Sequence, residues 1–463
     1  MAELDGAHIA ILGLGASGRA AARLALHEGA QVYVSDQSAQ PTASARAADD
    51  LRAEGADVAW GGHDLSRVAR ADLVVVSPGI PPRAPVLQEL RRRGVPWISE
   101  PELAVRFFTG PLIAITGTNG KTTTTLMTAH LLDEAGFTAA AGGNVGGGLA
   151  PTASELALLE PAPEWYVLEL SSFQLGAVET LDPDIGVLLN LAPDHLDHYE
   201  GSVEAYYADK ARLFDHATDD SDWVLPAGDE AVEGLVEDVP GRRHRFGVAG
   251  EGSALTGDDA GELRALLDGD SLTLDGARLL EGEELPLLGR HNRLNALAAA
   301  LTARLAGATP DALARGLRTA RPLPHRLAPV RERAGVLWVN DSKATNVAAT
   351  WSALESLDRP VILLAGGKDK GEDFGRLLQA LDGVRTVLAY GAAGTRLAGA
   401  LEESGTTVRL MGDDFAAVVR AAEATAHTGD LVLLSPACSS FDMFEDYEDR
   451  GRRFEALVRE LPA

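Results

Sequence analysis

A glycine-rich loop between a buried strand and a helix constrains the fold of this chain more than any other feature. Residues 112–115 are apolar and partly β-branched, which predicts a short buried strand, and residues 121–135 can form a helix. The loop between them, residues 117–120, is Gly-Thr-Asn-Gly. Glycines let backbone N–H groups approach phosphate oxygens, and a helix N-terminus favours negative charge. The order of strand, loop and helix therefore predicts a phosphate-binding loop in an α/β protein.

Two side chains directly after this loop suit nucleotide chemistry. Lys121 would reach the β- and γ-phosphates, and the hydroxyl of Thr122 would bind Mg²⁺. The strict phosphate-loop pattern has glycine at position 115, where this chain has Ile115. The alternative is a glycine-rich turn that begins a threonine-rich helix, and it leaves the lysine at this position unexplained.

The first 110 residues carry a second glycine motif. A predicted strand from His8 to Leu14 contains the start of Gly-Leu-Gly-Ala-Ser-Gly at residues 13–18, and the next strand ends at Asp36. This is the pattern of a dinucleotide-type fold, with an acid placed to meet a ribose hydroxyl. The pattern indicates a nucleotide at the strand ends without identifying it. Ser77-Pro78-Gly79-Ile80 follows another strand and is either a plain turn or a ligand contact.

The central part of the chain supplies further candidates. Glu169 ends a predicted strand, where a phosphate loop needs a carboxylate for Mg²⁺. The glycines of residues 142–148 indicate either a backbone that comes close to something or a flexible connector. Residues 193–198 hold acids and imidazoles on a loop. Lys210 lies on a predicted helix over residues 202–216, where a lone lysine is usually a solvated surface charge.

Strands and helices alternate after residue 322, which predicts an open α/β sheet with ligands at the carboxyl ends of its strands. Three polar clusters, at residues 340–346, 366–370 and 435–440, each follow a predicted strand. We therefore expect them at one edge of the sheet.

Composition excludes several classes of protein. The chain has 41 Lys and Arg against 68 Asp and Glu, a net charge of −27, which argues against a nucleic-acid or anionic-membrane binder. It has no long apolar run and no basic-apolar leader at its start, so we expect neither membrane insertion nor secretion. A single cysteine, Cys438, excludes an intramolecular disulfide framework and favours the cytoplasm.

The motifs taken together resemble the Mur ligases, ATP-dependent enzymes that build the peptide of peptidoglycan. The resemblance covers nearly the whole chain and rests on residues 77–80, 116–122, 142–146, 169–174, 194–197, 323–326, 340–346 and 434–441. It implies an α/β fold of three domains: an N-terminal Rossmann-like UDP-binding domain (1–110), a central ATPase-type domain with a parallel sheet (111–322) and a C-terminal Rossmann-like open sheet (323–463). The Ile at position 115 is then a family trait.

Within the family, the pattern is most similar to the branch that adds D-glutamate. The resemblance thus implies ATP-dependent ligation of D-glutamate to UDP-N-acetylmuramoyl-L-alanine through an acyl phosphate, with two Mg²⁺ ions and a carbamylated Lys210. We expect a cytoplasmic monomer.

The resemblance also assigns site residues. It implies ATP contacts from Gly117, Thr118, Asn119, Gly120, Lys121, Thr122, Thr123, Thr124, Asn295, His325, Arg326 and Asp341. It implies catalytic roles for Lys121, His195 and Lys210, and metal ligation by Thr122, Glu169, His195 and Lys210. The substrates would contact Ser17, Asp36, Gln37, Ser77, Asn144, Lys343, Thr345, Ser440 and Tyr447. The family often has phenylalanine at the last of these positions.

Three alternative functions explain fewer of these motifs. A nicotinamide dehydrogenase explains only residues 8–36. A nucleotide-binding module without chemistry has no need of His195 or Lys210. Folylpolyglutamate synthetase shares the phosphate loop, but it does not call for residues 340–346 in this form.

Overall fold

The protein, described here from a computed structural model, forms three β-sheets flanked by helices. The structure describes residues 4–39, 42–81, 84–196, 198–251 and 262–462. This agrees with the α/β fold with three sheets that the sequence predicts.

The first sheet has five parallel strands in the order β3-β2-β1-β4-β5. Its elements are β1 (His8–Leu12), α1 (Ala16–His27), β2 (Gln31–Asp36), α2 (Thr42–Ala53), β3 (Asp57–Trp60), α3 (Leu65–Val68), β4 (Leu73–Val76), α4 (Pro85–Arg93), β5 (Ile98–Ser99) and α5 (Glu100–Val105). The first strand ends at Leu12 and not at the predicted Leu14, because Gly13 has a φ of +95° and turns the chain into the glycine loop.

The second sheet has nine strands in the order β14-β13-β12-β11-β10-β9-β6-β8-β7. Its elements are β6 (Leu112–Thr116), α6 (Lys121–Glu134), β7 (Ala139–Gly143), α7 (Ala153–Ala157), β8 (Trp165–Glu169), α8 (Ser172–Leu175), β9 (Ile185–Leu188), α9 (Val203–Ala211), β10 (Asp222–Pro226), α10 (Glu230–Val236), β11 (Arg242–Val248), β12 (Arg264–Asp268), β13 (Ser271–Leu274) and β14 (Ala277–Glu281), followed by α11 (Arg290–Leu305) and α12 (Pro310–Thr319). Strands β6 to β12 are parallel, and β13 runs antiparallel to both of its neighbours, β12 and β14.

Two segments of the second sheet differ from prediction. The sequence of residues 185–190 predicts a strand that reaches Asn190, but β9 ends at Leu188, because the following residues leave the sheet to hold the phosphate loop. The helix expected over residues 202–216 is α9 followed by a 3-10 turn, Arg212–Phe214.

The third sheet has six strands in the order β15-β16-β20-β17-β18-β19. Its elements are β15 (Ala328–Arg333), β16 (Val336–Asn340), α13 (Val347–Glu355), β17 (Val361–Gly366), β18 (Val384–Tyr390), α14 (Gly394–Ala400), β19 (Thr407–Gly412), α15 (Phe415–Thr425), β20 (Leu431–Leu434) and α16 (Tyr447–Glu460). Because β16, β20 and β17 are parallel neighbours, their three polar clusters meet at one sheet edge, as predicted.

Three details of this sheet were not predicted correctly. The antiparallel strand β15 was missed, because its sequence combines a proline with alternating charges. The sequence pattern predicts a helix near residues 374–381, and the structure has a 3-10 helix, Phe374–Ala380. The pattern also predicts a last helix over residues 441–460, but this helix begins at Tyr447, because Asp446 caps it by accepting from the Asp449 N–H.

Contacts group the chain into two compact units, residues 1–282 with 294–317 and residues 283–293 with 318–463. In the first unit one apolar cluster joins residues of both sheets, such as Ile11 and Leu168. The domain boundaries at residues 110 and 322 stay a prediction. No helix in the described ranges is long and apolar enough to cross a membrane.

Candidate active site

Two glycines of the phosphate loop cannot be replaced without steric conflict. Gly117 has a φ of +149°, and a Cβ atom there would lie 3.0 Å from the Cβ of Leu189. Gly120 has a φ of +84°, and its Cβ would lie 2.3 Å from the Oδ1 of Asn295. The loop therefore needs glycine where its backbone meets β9 and α11. The same contact places Asn295, a predicted ATP residue, directly against the loop.

The residues after β9 hold the loop in shape. Asn119 N–H donates to the Asn190 side chain at 2.9 Å, and the Asn190 amide donates back to the Asn119 carbonyl at 3.1 Å. The hydroxyl of Thr118 donates to the Ala192 carbonyl and accepts from the Ala192 N–H, both at 3.0 Å. The segment that follows β9 therefore fixes the conformation of the phosphate loop. Sequence analysis did not single out Asn190.

Lys121 lies over the loop that precedes it. Its Nζ donates to the carbonyls of Gly117 and Thr118, both at 2.9 Å. Thr122, Thr123 and Thr124 follow on the first turn of α6 and are buried. Thr124 is fully buried, so its side chain packs inside the protein.

Glu169 stands beside the phosphate loop. It ends β8 and pairs in register with Ile115 on β6, so its buried carboxylate lies at the edge from which the loop departs. The Asn144 amide donates to Glu169 Oε1 at 3.2 Å. A Cβ atom at Gly143 would lie 2.4 Å from the Glu169 carbonyl oxygen, which explains a glycine at this position. The glycine-rich segment is therefore packed against the chain's own backbone here.

Lys210 is buried, although a lone lysine on a helix usually lies at the surface. Its side chain is 1% exposed, and its Nζ donates to the Gly117 carbonyl at 2.8 Å and to the Thr116 hydroxyl at 3.3 Å. Burial, reinforced by the nearby positive charge of Lys121, lowers the pKa of Lys210 to about 6. A large fraction of this amine is therefore neutral at physiological pH.

His195 lies on the loop after β9 with a φ of +52° and an exposed ring. Its ring centroid is 5.4 Å from that of Phe173 and 6.5 Å from that of Tyr206. The Nζ of Lys210 is 5.0 Å from the same Tyr206 ring, so both predicted residues contact one tyrosine. Asp197, part of the same predicted cluster, lies outside the described residues.

The metal ligands expected here are not a conventional acid-histidine cluster. Within the described ranges, no three His, Cys, Asp or Glu side chains come together to hold a metal. The predicted set is Thr122, Glu169, His195 and Lys210. Of these, the Thr122 hydroxyl and the Glu169 carboxylate are the hard oxygen donors that Mg²⁺ prefers. The residues present therefore fit Mg²⁺, with further oxygens to come from phosphate groups.

Asp36 holds the first glycine loop. Its carboxylate accepts from the Leu14 N–H at 2.8 Å and from the Ser38 N–H at 2.9 Å. Burial opposes ionisation, but these hydrogen bonds outweigh it and lower the pKa of Asp36. Ser77 packs against the same loop, because a Cβ at Gly13 would lie 2.9 Å from its Oγ. Asp36 is the last residue of β2, and Ser17, Gln37 and Ser77 come after the carboxyl ends of β1, β2 and β4, which are neighbours in the sheet.

Beside the third sheet, three predicted site residues come together: His325, Lys343 and Tyr447. His325 has a φ of +62°, and its Nδ1 is 2.9 Å from the Asn340 amide nitrogen. The Nζ of Lys343 lies 3.8 Å from the centre of the Tyr447 ring, and the Lys343 N–H donates to the His325 carbonyl at 3.0 Å. A Cβ at Gly451 would lie 2.1 Å from His325 Nδ1, so α16 needs glycine there.

Asp341, one of the predicted ATP contacts, is hydrogen-bonded within the protein. It accepts from the Ser435 hydroxyl at 2.8 Å and from the Leu327 N–H at 3.2 Å, and burial raises its pKa to about 7. Arg326 lies close enough for its charge to act on Asp341. Thr345 and Ser440 follow β16 and β20 at the same edge.

One signal for these residues was overlooked in the sequence. The chain has five lysines, and all of them lie in the loop and helix segments described above or in the polar cluster after β17: Lys121, Lys210, Lys343, Lys368 and Lys370. Arginine supplies the remaining basic residues. Because lysine occurs only in segments that hold candidate site residues, the sequence alone could have marked Lys210 as a site residue. By contrast, nothing in the sequence marks Arg450, which is fully buried among several helical arginines.

Comparison with known proteins agrees with this geometry. Residues 7–99 match the Mur ligase MurD-like N-terminal domain, residues 115–303 the Mur ligase middle domain, and residues 325–438 the Mur ligase glutamate ligase domain. The solved UDP-N-acetylmuramate-alanine ligase of Thermotoga maritima has a TM-score of 0.59 at 20% identity, covering 98% of this chain and 100% of that one. A pseudomurein peptide ligase type C of Methanothermus fervidus has a TM-score of 0.58 at 19% identity, covering 99% and 100%. These two structures support the fold.

Full-length relatives are much more similar in sequence. The UDP-N-acetylmuramoylalanine–D-glutamate ligase of Aromatoleum aromaticum is 41% identical over 477 residues, covering 100% of this chain and 99% of the relative. The protein of the same name in Salinibacter ruber is 39% identical over 462 residues, covering 97% of each. On this evidence the chain belongs to the Mur ligase family.

Proposed function

We propose that this protein is an ATP-dependent ligase that joins D-glutamate to UDP-N-acetylmuramoyl-L-alanine in peptidoglycan synthesis. One observation carries the proposal: relatives named for this reaction match this chain over nearly its full length at 39% and 41% identity. The geometry is consistent with it, because Lys121 begins the helix after the phosphate loop and Glu169 ends the strand that neighbours β6. The dehydrogenase and folylpolyglutamate alternatives do not account for these relatives.

The reaction needs an activated carboxylate, because a carboxylate is a poor electrophile. ATP transfers its γ-phosphoryl group to the alanyl carboxylate, which gives an acyl phosphate and ADP. The amine of D-glutamate attacks the acyl carbon, and the tetrahedral intermediate collapses to the amide, releasing phosphate and a proton. Lys121, fixed over the loop by its bonds to Gly117 and Thr118, would offset negative charge on the transferring phosphoryl group.

Magnesium would be held by Thr122 and Glu169, with a second ion at His195 and Lys210. When bound, it neutralises phosphate charge that would otherwise repel the carboxylate. Asn144 supports this role, because its amide donates to Glu169 Oε1 and helps to orient the carboxylate.

Carbamylation of Lys210 is what would make it a metal ligand. An ammonium ion repels Mg²⁺, whereas a neutral amine can attack CO₂, lose a proton and form an N-carboxylate that offers oxygen ligands. Burial of Lys210 beside Lys121 supplies that neutral amine. The new negative charge would lie close to the Lys121 ammonium, which would stabilise it.

The remaining assignments are part of the same proposal. Asn295, His325, Arg326 and Asp341 would surround ATP together with residues 117–124, and Asn144 would contact the muramoyl substrate. Ser17, Asp36, Gln37 and Ser77 would bind the UDP end, and Lys343, Thr345, Ser440 and Tyr447 would hold D-glutamate. We further propose domains at residues 1–110, 111–322 and 323–463, and a cytoplasmic monomer.

Phosphate release tests this function directly. Purified protein is given ATP, Mg²⁺ and UDP-N-acetylmuramoyl-L-alanine with each member of a panel of amino acids. We expect strong release only with D-glutamate, together with a ligated product of the corresponding mass. Equal turnover with L-alanine or a diamino acid would assign the chain to another branch of the family. Nicotinamide reduction without ATP would support the dehydrogenase alternative.

A further inference from the structure

A fully buried arginine lies behind the segments that would hold D-glutamate. Arg450, on the first turns of α16, is 0% exposed. Its Nε donates to the Ser342 hydroxyl and its Nη2 to the Ser342 carbonyl, both at 2.9 Å. Its Nη1 donates to the Cys438 carbonyl at 3.1 Å. Arg450 thus ties the cluster after β16 to the cluster after β20.

All of these acceptors are uncharged. Among the described residues, Arg450 forms no ion pair with an aspartate or glutamate. Asp341 is close enough to feel the charge of Arg450, but it bonds to Ser435 and Leu327 instead. Arginine cannot lose its proton in a protein, so the interior carries a permanent positive charge. Burying an unpaired charge is costly, which makes this arrangement unusual for a purely structural residue.

A second buried arginine shows the usual solution. Arg245, on β11, is also buried, and its Nη2 lies 2.9 Å from the carboxylate of Glu233. Its charge is therefore balanced within the protein. The difference between the two arginines is the missing carboxylate at Arg450.

The contacts of Arg450 place its charge next to the predicted amino-acid site. Ser342 directly precedes Lys343, and its hydroxyl, while accepting from Arg450, donates to the Tyr447 carbonyl at 2.8 Å. Cys438 stands two residues before Ser440. The hydrogen-bond partners of Arg450 therefore lie one and two residues from Lys343 and Ser440, and Ser342 also bonds the backbone of Tyr447. Within the part of the chain that the structure describes, Arg450 itself donates no hydrogen bond to these three side chains.

We propose that Arg450 is a positioning and specificity-determining residue whose unpaired buried charge favours a doubly anionic amino acid at this edge of the third sheet. D-glutamate brings two carboxylates, and a neutral amino acid brings one. The substrate then supplies the negative charge that the protein lacks. The inference rests on the proposed function, since it concerns the D-glutamate site of the same reaction.

Four variants separate charge from structure. Arg450→Met removes the charge, and Arg450→Lys keeps it but loses the forked hydrogen bonds. Cys438→Asp leaves the arginine in place and introduces a carboxylate beside it, and Arg245→Met is a matched control at the other buried arginine. The Michaelis constants for D-glutamate and for ATP are measured for each variant by phosphate release, after thermal denaturation has confirmed folding.

The charge hypothesis predicts a crossed pattern. Arg450→Met and Cys438→Asp should each raise the KM for D-glutamate roughly tenfold, the order of magnitude expected for one charge acting through protein of intermediate dielectric constant. Arg450→Lys should stay near the wild type, Arg245→Met should show no selective change, and the KM for ATP should remain close to wild type throughout. If Arg450→Met does not fold, Cys438→Asp and Arg450→Lys carry the test.

Two results would overturn the inference alone: a lysine variant as impaired as the methionine variant, or an unchanged KM in folded Cys438→Asp. Either would mean that Arg450 acts only through its hydrogen bonds. A wild-type protein that releases no phosphate with D-glutamate would instead overturn the proposed function, and this inference with it.

Discussion

Lys121 and Lys210 donate hydrogen bonds to the same acceptor, the carbonyl oxygen of Gly117, at 2.9 and 2.8 Å. One lysine comes from the phosphate-loop helix α6 and the other from α9. Two ammonium groups on one carbonyl repel each other, and burial disfavours the charge on Lys210, whose pKa falls to about 6. The pair is therefore suited to a division of roles, in which Lys121 remains a cation for phosphate and Lys210 becomes a neutral nucleophile.

Removing the charge of Lys121 should abolish ligation in a folded protein. Lys121→Met retains much of the side-chain length but cannot offset charge on the transferring phosphoryl group. We expect kcat to fall about 100- to 1,000-fold, the usual cost of losing one stabilising donor in a transition state. Phosphate release measures this effect, and circular dichroism checks the fold. A folded Lys121→Met enzyme with near-normal turnover would contradict the phosphate-loop assignment.

Lys210 should matter as a carbamate and not as a cation. Lys210→Ala should be nearly inactive and should regain activity when a short carboxylic acid is added, because the acid can occupy the vacated space as an anionic ligand. Lys210→Arg preserves positive charge but cannot form the same carbamate, so it should stay inactive with or without the acid. Activity is followed by phosphate release across acid concentrations.

Direct detection of the carbamate is practical in this chain. With five lysines in total, a carbon-13 NMR spectrum recorded under labelled CO₂ has few candidate signals, and Lys210→Ala identifies the relevant one. An active Lys210→Arg variant, or a fully active wild type without the carbamate signal, would contradict the second-metal assignment. Lys210 would then serve only to hold the Gly117 carbonyl.

The phosphate loop could be predicted because its constraints are local. Gly117 and Gly120 have positive φ values, and Lys121 follows them in the chain, so a short segment contains the whole signal. The edge of the third sheet was predictable for a related reason. Parallel strands bring their carboxyl ends together, so polar clusters after β16, β17 and β20 had to meet.

The properties of Lys210 and Asp36 depend on contacts that the sequence does not reveal. Lys210 is buried because α9 lies against Gly117, a residue 93 positions earlier. Asp36 matches a ribose-binding pattern, yet it also accepts the Leu14 N–H, 22 positions earlier, and so shapes the glycine loop. Arg450 was missed because burial, and not its residue type or spacing, distinguishes it from the neighbouring arginines of α16.

Tyr447 should act through its ring and not through its hydroxyl. The Lys343 ammonium lies 3.8 Å from the ring centre, a cation–π contact that fixes the lysine beside the proposed D-glutamate site. Tyr447→Phe keeps this contact and should have a KM for D-glutamate close to that of the wild type. Tyr447→Leu loses it and should raise that KM about 2- to 30-fold. The two KM values are measured at saturating ATP.

The phenylalanine variant is the control for this contact, since it removes only the hydroxyl. A Tyr447→Phe enzyme as impaired as Tyr447→Leu would mean that the hydroxyl touches substrate. Equal KM values for D-glutamate in the wild type and in both variants would mean that Tyr447 has no role in binding the amino acid.

Glu100 is a buried acid that belongs to none of the proposed sites. Its Oε1 accepts from the Ser154 N–H at 2.5 Å, whereas its Oε2 has no hydrogen-bond partner among the described residues. Burial raises the pKa of Glu100 to about 7. Glu102, two residues on, is equally buried, but its carboxylate accepts from Arg106, Glu179 and Thr180. Burial, with no hydrogen-bond partner for Oε2 in the described ranges, therefore disfavours ionisation of Glu100.

Glu100→Gln should make the protein more resistant to alkaline conditions. The folded pKa lies above the ordinary value of 4.5, so the folded state holds this proton more tightly than the unfolded state does. The stabilisation is complete below about pH 4.5 and is lost as pH rises toward 7, at a total of about 3 kcal/mol. Glutamine is always neutral, so the unfolding free energy of Glu100→Gln relative to the wild type should increase over this range and then level off.

Urea titrations from pH 4.5 to 8.5 measure the difference. Glu102→Gln is the control: it loses bonds to Arg106 and to backbone donors, and it should be destabilised at pH 8. A difference between Glu100→Gln and the wild type that does not change with pH would show that Glu100 ionises normally.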